Sequence, residues 1–461
     1  MFVKQFVDEG LGNSSYLVGS EETGQIAAID PQRDVDRYMQ FAEGLGLQLG
    51  YALDTHLHND FISGAREMAA QAGITVAASS EARLAFDHLP LSNGTTISLG
   101  DVIIRVLATP GHTPEHISFL AMETGKQESE VLFSGGALIV GGAARTDLLG
   151  KEMTGYLTHQ LFHTIHEKLL PFSDDMVVYP THGAGSFCVA PNTTERVTTL
   201  GREKLANPLV RAGSEEEFQV LATHDLPSYP DYFHYMRHMN QAGPRVLNGI
   251  PLLDPLSPPD VQKNVERGVV IIDTRSPAEF AAGHIPGSYG IPLAAPLITW
   301  AGWVVPFGAS VILVASGPSE QMQAVRQLLR IGYDDLRGFL SGGIAAWEAA
   351  GLPLAQVPVM PARDLLKRIE SGSAPLILDV RQDVEWRAGH LPHAIHVEAG
   401  RLPHAEIPFS PESQVVVHCG HADRSTVGIS VLQQRGYHNL ALLEGGYTGW
   451  HAAGYPEFQS D

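Results

Sequence analysis

Short apolar runs alternate with amphipathic stretches through the first half of the chain. Leu49-Gly50-Tyr51-Ala52-Leu53, Ile103-Ile104-Arg105-Val106-Leu107 and Val177-Val178-Tyr179 read as strands, while residues 35–45 and 64–72 carry helical spacing. A Pro-rich bridge follows, from Pro244 through Gly249-Ile250-Pro251 to Ser257-Pro258-Pro259, and predicts a linker. Beyond it the pattern repeats. Asp273-Thr274-Arg275 with Gly283-His284-Ile285-Pro286 returns as Asp379-Val380-Arg381 with Gly389-His390-Leu391-Pro392, and Ser341-Gly342-Gly343 with Trp347 returns as Glu444-Gly445-Gly446 with Trp450. A period of roughly 105 residues is a duplicated domain, far too long for a solenoid unit. Each unit reads strand, loop, helix, strand, helix, which predicts a small parallel sheet. The chain is therefore expected to be an α/β and α+β multidomain protein divided at residues 1–243, 244–356 and 357–461.

The composition narrows the partners. Thirty basic against 51 acidic residues give a net charge of −21, which argues against binding nucleic acid or an anionic membrane. No apolar run approaches the ~20 residues of a membrane span. The opening Met1-Phe2-Val3-Lys4 lacks the basic and apolar regions of a secretory signal. Two cysteines, Cys188 and Cys419, cannot form a disulfide framework, so a reducing, cytoplasmic location is expected.

Histidines collect at strand ends in the front domain. Thr55-His56-Leu57-His58-Asn59-Asp60-Phe61 follows one strand, Gly111-His112-Thr113-Pro114 a second, and Thr181-His182-Gly183 a third, which together predict a divalent-metal site on a sheet rim. His159, His163 and His166, and the pair His234 and His238, lie at helical spacing instead and read as solvated helix faces without a second metal. In the last domain Gln414-Val415-Val416-Val417-His418 reads as a buried strand that ends on Cys419. Gly420, His421, Ala422, Asp423, Arg424 and Ser425 then lead into a helix expected over 426–435. Main-chain amides curling around that sulfur, with Arg424 at the loop's end, would stabilise a thiolate or persulfide.

Residues 357–461 resemble a rhodanese, through Asp379-Val380-Arg381, Glu385-Trp386, Gly389-His390-Leu391-Pro392, the six-residue Cys419–Arg424 loop, and Leu443-Glu444-Gly445-Gly446 with Trp450. The resemblance implies a sulfurtransferase whose Cys419 carries a transferable sulfur, with Arg424 beside it. Residues 244–356 look like an inactive copy: Ala315 stands at the cysteine position and Glu320 at the arginine position. Spacing or dimerisation is its expected role, and homo-oligomerisation is left open.

The front domain resembles the metallo-β-lactamase superfamily, in its persulfide dioxygenase branch related to glyoxalase II. The carriers are the Thr55–Phe61 run, Ala108-Thr109-Pro110-Gly111-His112 with His116, and Tyr179-Pro180-Thr181-His182-Gly183. An αββα sandwich followed by two rhodanese-like parallel α/β domains is the fold implied. The function implied is oxidation of a low-molecular-weight thiol persulfide to sulfite at one iron, coupled to sulfur transfer through Cys419 with thiosulfate or sulfite as partners. His56 and His112 fall on two ligand positions, and Gly136 falls where a carboxylate ligand is expected. Gly142 replaces a second acid, and Glu130 and Asp147 lie at the wrong offsets to substitute. Either His58 joins His56 and His112 in a three-imidazole set suited to Fe(II) or Zn(II), the expected arrangement, or water or the substrate's sulfur fills the place left by Gly136. Asp60 and His182 are assigned to an outer shell or a second site, and Phe61 removes one arm of a second metal. Arg145 either holds a substrate carboxylate or pairs with Asp147, and Cys188 is either a buried thiol or a sulfur relay. Two rival readings stand beside this one: a zinc thioester hydrolase, and a sulfurtransferase with a metal-free front domain.

Overall fold

The computed structural model describes every residue except 126–129, 189–193, 225, 295, 460 and 461. The chain divides into two compact units, Met1–Ile250 with Leu329–Gly332, and Pro251–Leu328 with Tyr333–Asp461. No helix among the described residues is long and apolar enough to cross a membrane.

The first unit is a sandwich of two six-stranded sheets. One runs in chain order through Phe2–Asp8, Asn13–Gly19, Gln25–Ile29, Gln48–Leu53, Thr75–Ser79 and Leu89–Leu91. The other has the order Thr198–Thr199, Val177–Pro180, Glu130–Gly135, Ile117–Glu123, Val102–Ala108, Thr96–Leu99. Alternation along these strands sends Tyr16, Val18, Ile29, Leu53, Ile104, Val106, Phe119 and Phe133 into one buried layer between the sheets. Helices Asp36–Gly44 and Ala65–Ala72 cover the outer face of the first sheet, through Tyr38 and Met68. Helix Lys151–His163 covers the second, through Leu161. The expected αββα layering is what these two apolar faces produce.

The second unit contains two five-stranded sheets whose pairings are all parallel, built from the two repeats in the same spatial order. Val415–His418 is the middle strand of the second sheet, so Cys419 leaves from the sheet's centre at its carboxyl edge. The following helix spans Asp423–Gln434, three residues earlier than expected, so Arg424 and Ser425 belong to its first turn. The Asp-x-Arg motifs are structural clasps. Arg381 Nη2 donates to Asp379 at 2.6 Å and to the Gly389 carbonyl at 2.6 Å, and Arg275 Nη2 does the same to Asp273 at 2.5 Å and Gly283 at 2.8 Å. Each repeat centres on one wholly buried tryptophan whose indole N–H donates to a carbonyl, Trp347 to Pro353 at 2.8 Å and Trp450 to Pro456 at 2.9 Å. Trp450→Ala is expected to destabilise the last domain by roughly 3–5 kcal/mol, read as an earlier urea midpoint for the domain's transition.

Candidate functional site

Three imidazoles converge in the front unit from three strand-to-loop junctions. His56 comes after Gln48–Leu53, His112 after Val102–Ala108 and His182 after Val177–Pro180, and one ring nitrogen of each lies within 4.8 Å of the others. All three are buried.

Hydrogen bonding assigns the tautomers. The Thr55 hydroxyl donates to Asp30 at 2.8 Å, so it accepts from His56 Nδ1 at 2.8 Å and leaves His56 Nε2 a bare lone pair. His112 Nδ1 donates to the Arg145 carbonyl at 2.7 Å, which frees its Nε2 likewise. His182 Nδ1 stands 3.3 Å from the Asp60 carboxylate, and its Nε2 faces His56 Nε2 at 3.3 Å. Ring nitrogens facing one another in a buried pocket need a proton or a cation between them. Burial holds His56 well below the usual imidazole range, and holds His112 down to about 3, with neighbouring imidazoles reinforcing both shifts. Three imidazoles with outer partners on their far nitrogens are a donor set that fits a divalent metal.

This set differs from the expected one at its third member. His58 does not join His56 and His112. It turns to Asp30, with Nε2 3.3 Å from the carboxylate, and stacks on Phe61 at a ring separation of 4.1 Å. The nearby carboxylates Asp30, Asp54 and Asp60 outweigh the opposing effect of burial and raise its pKa. His182, assigned from sequence to an outer position, takes the third corner. Asp60 is the outer group, accepting from Asn13 at 2.8 Å and facing His182. Gly136 has no room for a carboxylate in this packing, since a Cβ there would lie 2.7 Å from His112 Cδ2 and 2.9 Å from the Ala144 methyl. Its amide donates to His116 Nε2 at 2.9 Å, which occupies that imidazole's lone pair. Glu130 is exposed at a strand start, and Asp147 is taken by Arg145.

Arg145 is not free to meet a substrate. Its guanidinium binds both Asp147 oxygens at 2.6 and 2.7 Å and the carbonyls of Phe187 and Pro227, and its contribution to the site is its backbone carbonyl. Cys188 is buried 3.9 Å from Asp60, and burial with that carboxylate pushes its thiol well up, so it stays protonated. Asp30 was missed from the sequence. It ends a strand, adopts a left-handed backbone (φ 48°), and accepts from the Thr55 amide, the Thr55 hydroxyl and the Thr181 hydroxyl. An acid at a strand's carboxyl end beside two histidine loops was the available signal.

In the last domain, the loop after Cys419 is shaped by what its carbonyls meet. The Cys419 and Gly420 carbonyls accept from the amides of Tyr447 and Thr448 at 2.7 and 2.9 Å, at the start of helix Gly446–Ala452. Gly446 (φ 54°) makes this approach possible, because a Cβ there would lie 2.4–2.7 Å from the carbonyl oxygens of His421, Cys419 and Gly420. Among the described residues, nothing accepts from the amides of Gly420 through Ser425. With carbonyls tied outward and amides unspent, the loop offers the donors of an anion cradle. Cys419 is buried at its start. The Arg424 guanidinium forks onto Glu385 and lies within 3.3 Å of the space a Gly420 Cβ would take. His421 Nδ1 stands 3.3 Å from the Thr448 hydroxyl. The first repeat lacks this shape. A Cβ on Gly343 would touch nothing within 4 Å, and the Glu320 carboxylate sits over Gly317.

Comparison with known proteins finds three matched stretches along the chain. Residues 8–182 match the family model described as Metallo-beta-lactamase superfamily, and residues 257–350 and 361–453 match Rhodanese-like domain. The mitochondrial persulfide dioxygenase of Homo sapiens is 29% identical over 46% of this chain and 77% of its own length. Hydroxyacylglutathione hydrolase GloC of Haemophilus influenzae is 31% identical over 44% of this chain and 94% of its own. A metallo-beta-lactamase crystal structure from Staphylococcus aureus subsp. aureus COL superposes with a TM-score of 0.67 at 31% identity, covering 73% of this chain and 98% of that one.

The rearranged triad makes a discriminating prediction. His182→Ala is expected to weaken Co(II) binding by roughly 100-fold or more, against about 10-fold for His58→Ala, the cost of losing an outer partner. Cobalt titration followed by d–d absorption reads both.

Proposed function

The chain belongs to the metallo-β-lactamase superfamily and continues into two rhodanese-like domains, and on that premise we propose that it oxidises a low-molecular-weight thiol persulfide and transfers sulfur through Cys419. The outward-tied carbonyls of the Cys419 loop are the observation that carries the sulfur-transfer half. A persulfide on Cys419 would bring negative charge to unspent amides and to Arg424, which stabilise it without reorganisation. Glu385 fixes the guanidinium by a two-point fork, so its charge does not wander from the loop. The donor that loads Cys419 is a thiosulfate or a persulfide, and the acceptor is a thiol or sulfite.

His56, His112 and His182 would hold the metal of the front domain. Fe(II) is the favoured ion and Zn(II) the alternative; bound iron would supply the activation of dioxygen that oxidation of the sulfur needs. The protein's own part is positional. Thr55, the Arg145 carbonyl and Asp60 orient the three rings, which are themselves buried. Neutral donors leave the ion's charge for an anionic sulfur ligand to offset. The hydrolase reading, suggested by the name of one relative, has against it Phe61 stacked on His58 and a Gly136 position closed by His112 and Ala144. A cytoplasmic location and a homo-oligomer belong to the same reading.

Cys419→Ser is expected to abolish thiosulfate:cyanide sulfur transfer and leave persulfide-dependent oxygen uptake intact, so surviving transfer would place the nucleophile elsewhere. Gly446→Ala is expected to cut transfer at least about 100-fold, the scale of losing an oxyanion-type donor. Metal analysis of the purified chain separates the rivals. One iron with oxygen uptake fits the reading, two zincs fit the hydrolase, and no metal leaves a sulfurtransferase alone.

A further inference from the structure

A second cluster of metal-ligating side chains lies on the outside of the front unit, away from the triad's ligands. His159 and His163 are one turn apart on helix Lys151–His163, and their rings stand 4.5 Å apart. The sequence alone makes this a solvated helix face. The fold adds a carboxylate from another element: Glu215, the first residue of helix Glu215–Thr223, places Oε1 2.5 Å from His159 Nδ1 and Oε2 3.8 Å from His163 Nε2. The three ligand atoms lie within 4.8 Å of one another. The far nitrogen of His163 is held by Glu167 at 2.7 Å, the carboxylate–imidazole arrangement that turns the other nitrogen toward a metal.

We propose that His159, His163 and Glu215 form a divalent transition-metal site, with Zn²⁺ as its reference ion, that pins helix Glu215–Thr223 to helix Lys151–His163. Two imidazoles and one carboxylate suit Zn²⁺ and its neighbours, whereas Ca²⁺ and Mg²⁺ prefer all-oxygen sets. Metal–ligand bonds of about 2.0–2.2 Å place tetrahedral ligands roughly 3.4 Å apart, so the contacts here need small rotamer adjustments only. The groups are 35–47% exposed, which leaves them free to make that adjustment and leaves a coordination position for water. The chain's charge of −21 draws cations to such a surface.

The site has something to clamp. Phe218 of the second helix packs on Phe162 of the first, with rings 5.5 Å apart, so the cation would close the rim of an apolar seam. The inner face of the first helix meets the His112 loop: a Cβ on Gly111 would lie 2.6 Å from Leu161 Cα, and just past the helix the Thr164 hydroxyl donates to the Pro110 carbonyl at 2.7 Å. A metal on the outer face would therefore stiffen the helix that seats one ligand of the triad.

The test is zinc binding to the full chain, measured by competition with a chromophoric chelator and by thermal shift. The expected result is one more bound zinc in the native chain than in the His159→Ala/His163→Ala variant, with a zinc-dependent rise in melting temperature lost in that variant. Glu215→Gln, which keeps the side chain's size, is expected to weaken that one equivalent at least tenfold while circular dichroism stays unchanged. If native chain and variants bind the same number of zincs with the same affinity, the cluster is an imidazole–carboxylate ion pair only and the proposal falls. Because none of these residues belongs to the triad, that failure would leave the oxidation reading untouched.

Discussion

One buried carboxylate holds the front site together. Asp30, at the end of Gln25–Ile29, accepts from the amide and hydroxyl of Thr55 and from the hydroxyl of Thr181, and faces His58. Those threonines immediately precede His56 and His182, so a single anion ties together the loops that carry two of the three imidazoles. Burial alone would raise its pKa, yet His58 and the hydrogen bonds hold it below the ordinary carboxylate range. The ionised form is the one that accepts every bond, so the anchor and the tautomer of His56 stand or fall together. A left-handed backbone at a non-glycine residue is the conformational cost of placing that carboxylate there.

The sulfur site follows a different logic. Its chemistry lies in the main chain, and side chains elsewhere decide which way the main chain faces. The missing Cβ of Gly446 lets three loop carbonyls turn toward the start of a helix, whose first amides take two of them. The opposite edge of the loop is then donors only. The first repeat, with Ala315 at the cysteine position, tests this account within one molecule. It keeps Asp273, Arg275 and Trp347, which hold the domain together, and loses both the cysteine and the close approach at Gly343. Scaffold residues and cradle residues are separable, and only the first class is kept in the first repeat.

Much of the architecture was legible in the residue pattern. The strands near 49–53, 103–107 and 177–179 form where their apolar runs lie, and the repeat produced two sheets of one topology. Motif spacing singled out His56, His112 and Cys419, and the fold brings the first two together. It could not rank His58 against His182, because the two compete for one corner through ring rotations that depend on Asp30, Phe61 and Asp60, scattered over the chain. Arg145 was ambiguous for the same reason, since its partners Phe187 and Pro227 are distant in sequence.

What the chain determines locally is where strands end and which reactive side chains stand at those ends, because both follow from the alternation of apolar residues and from turn chemistry. The direction in which each of those groups points is a property of the folded whole. His182 entered the triad, Gly136 closed against His112, and Glu215 reached His159 because hydrogen bonds and excluded volume between distant segments chose one orientation among several that the local sequence allows equally.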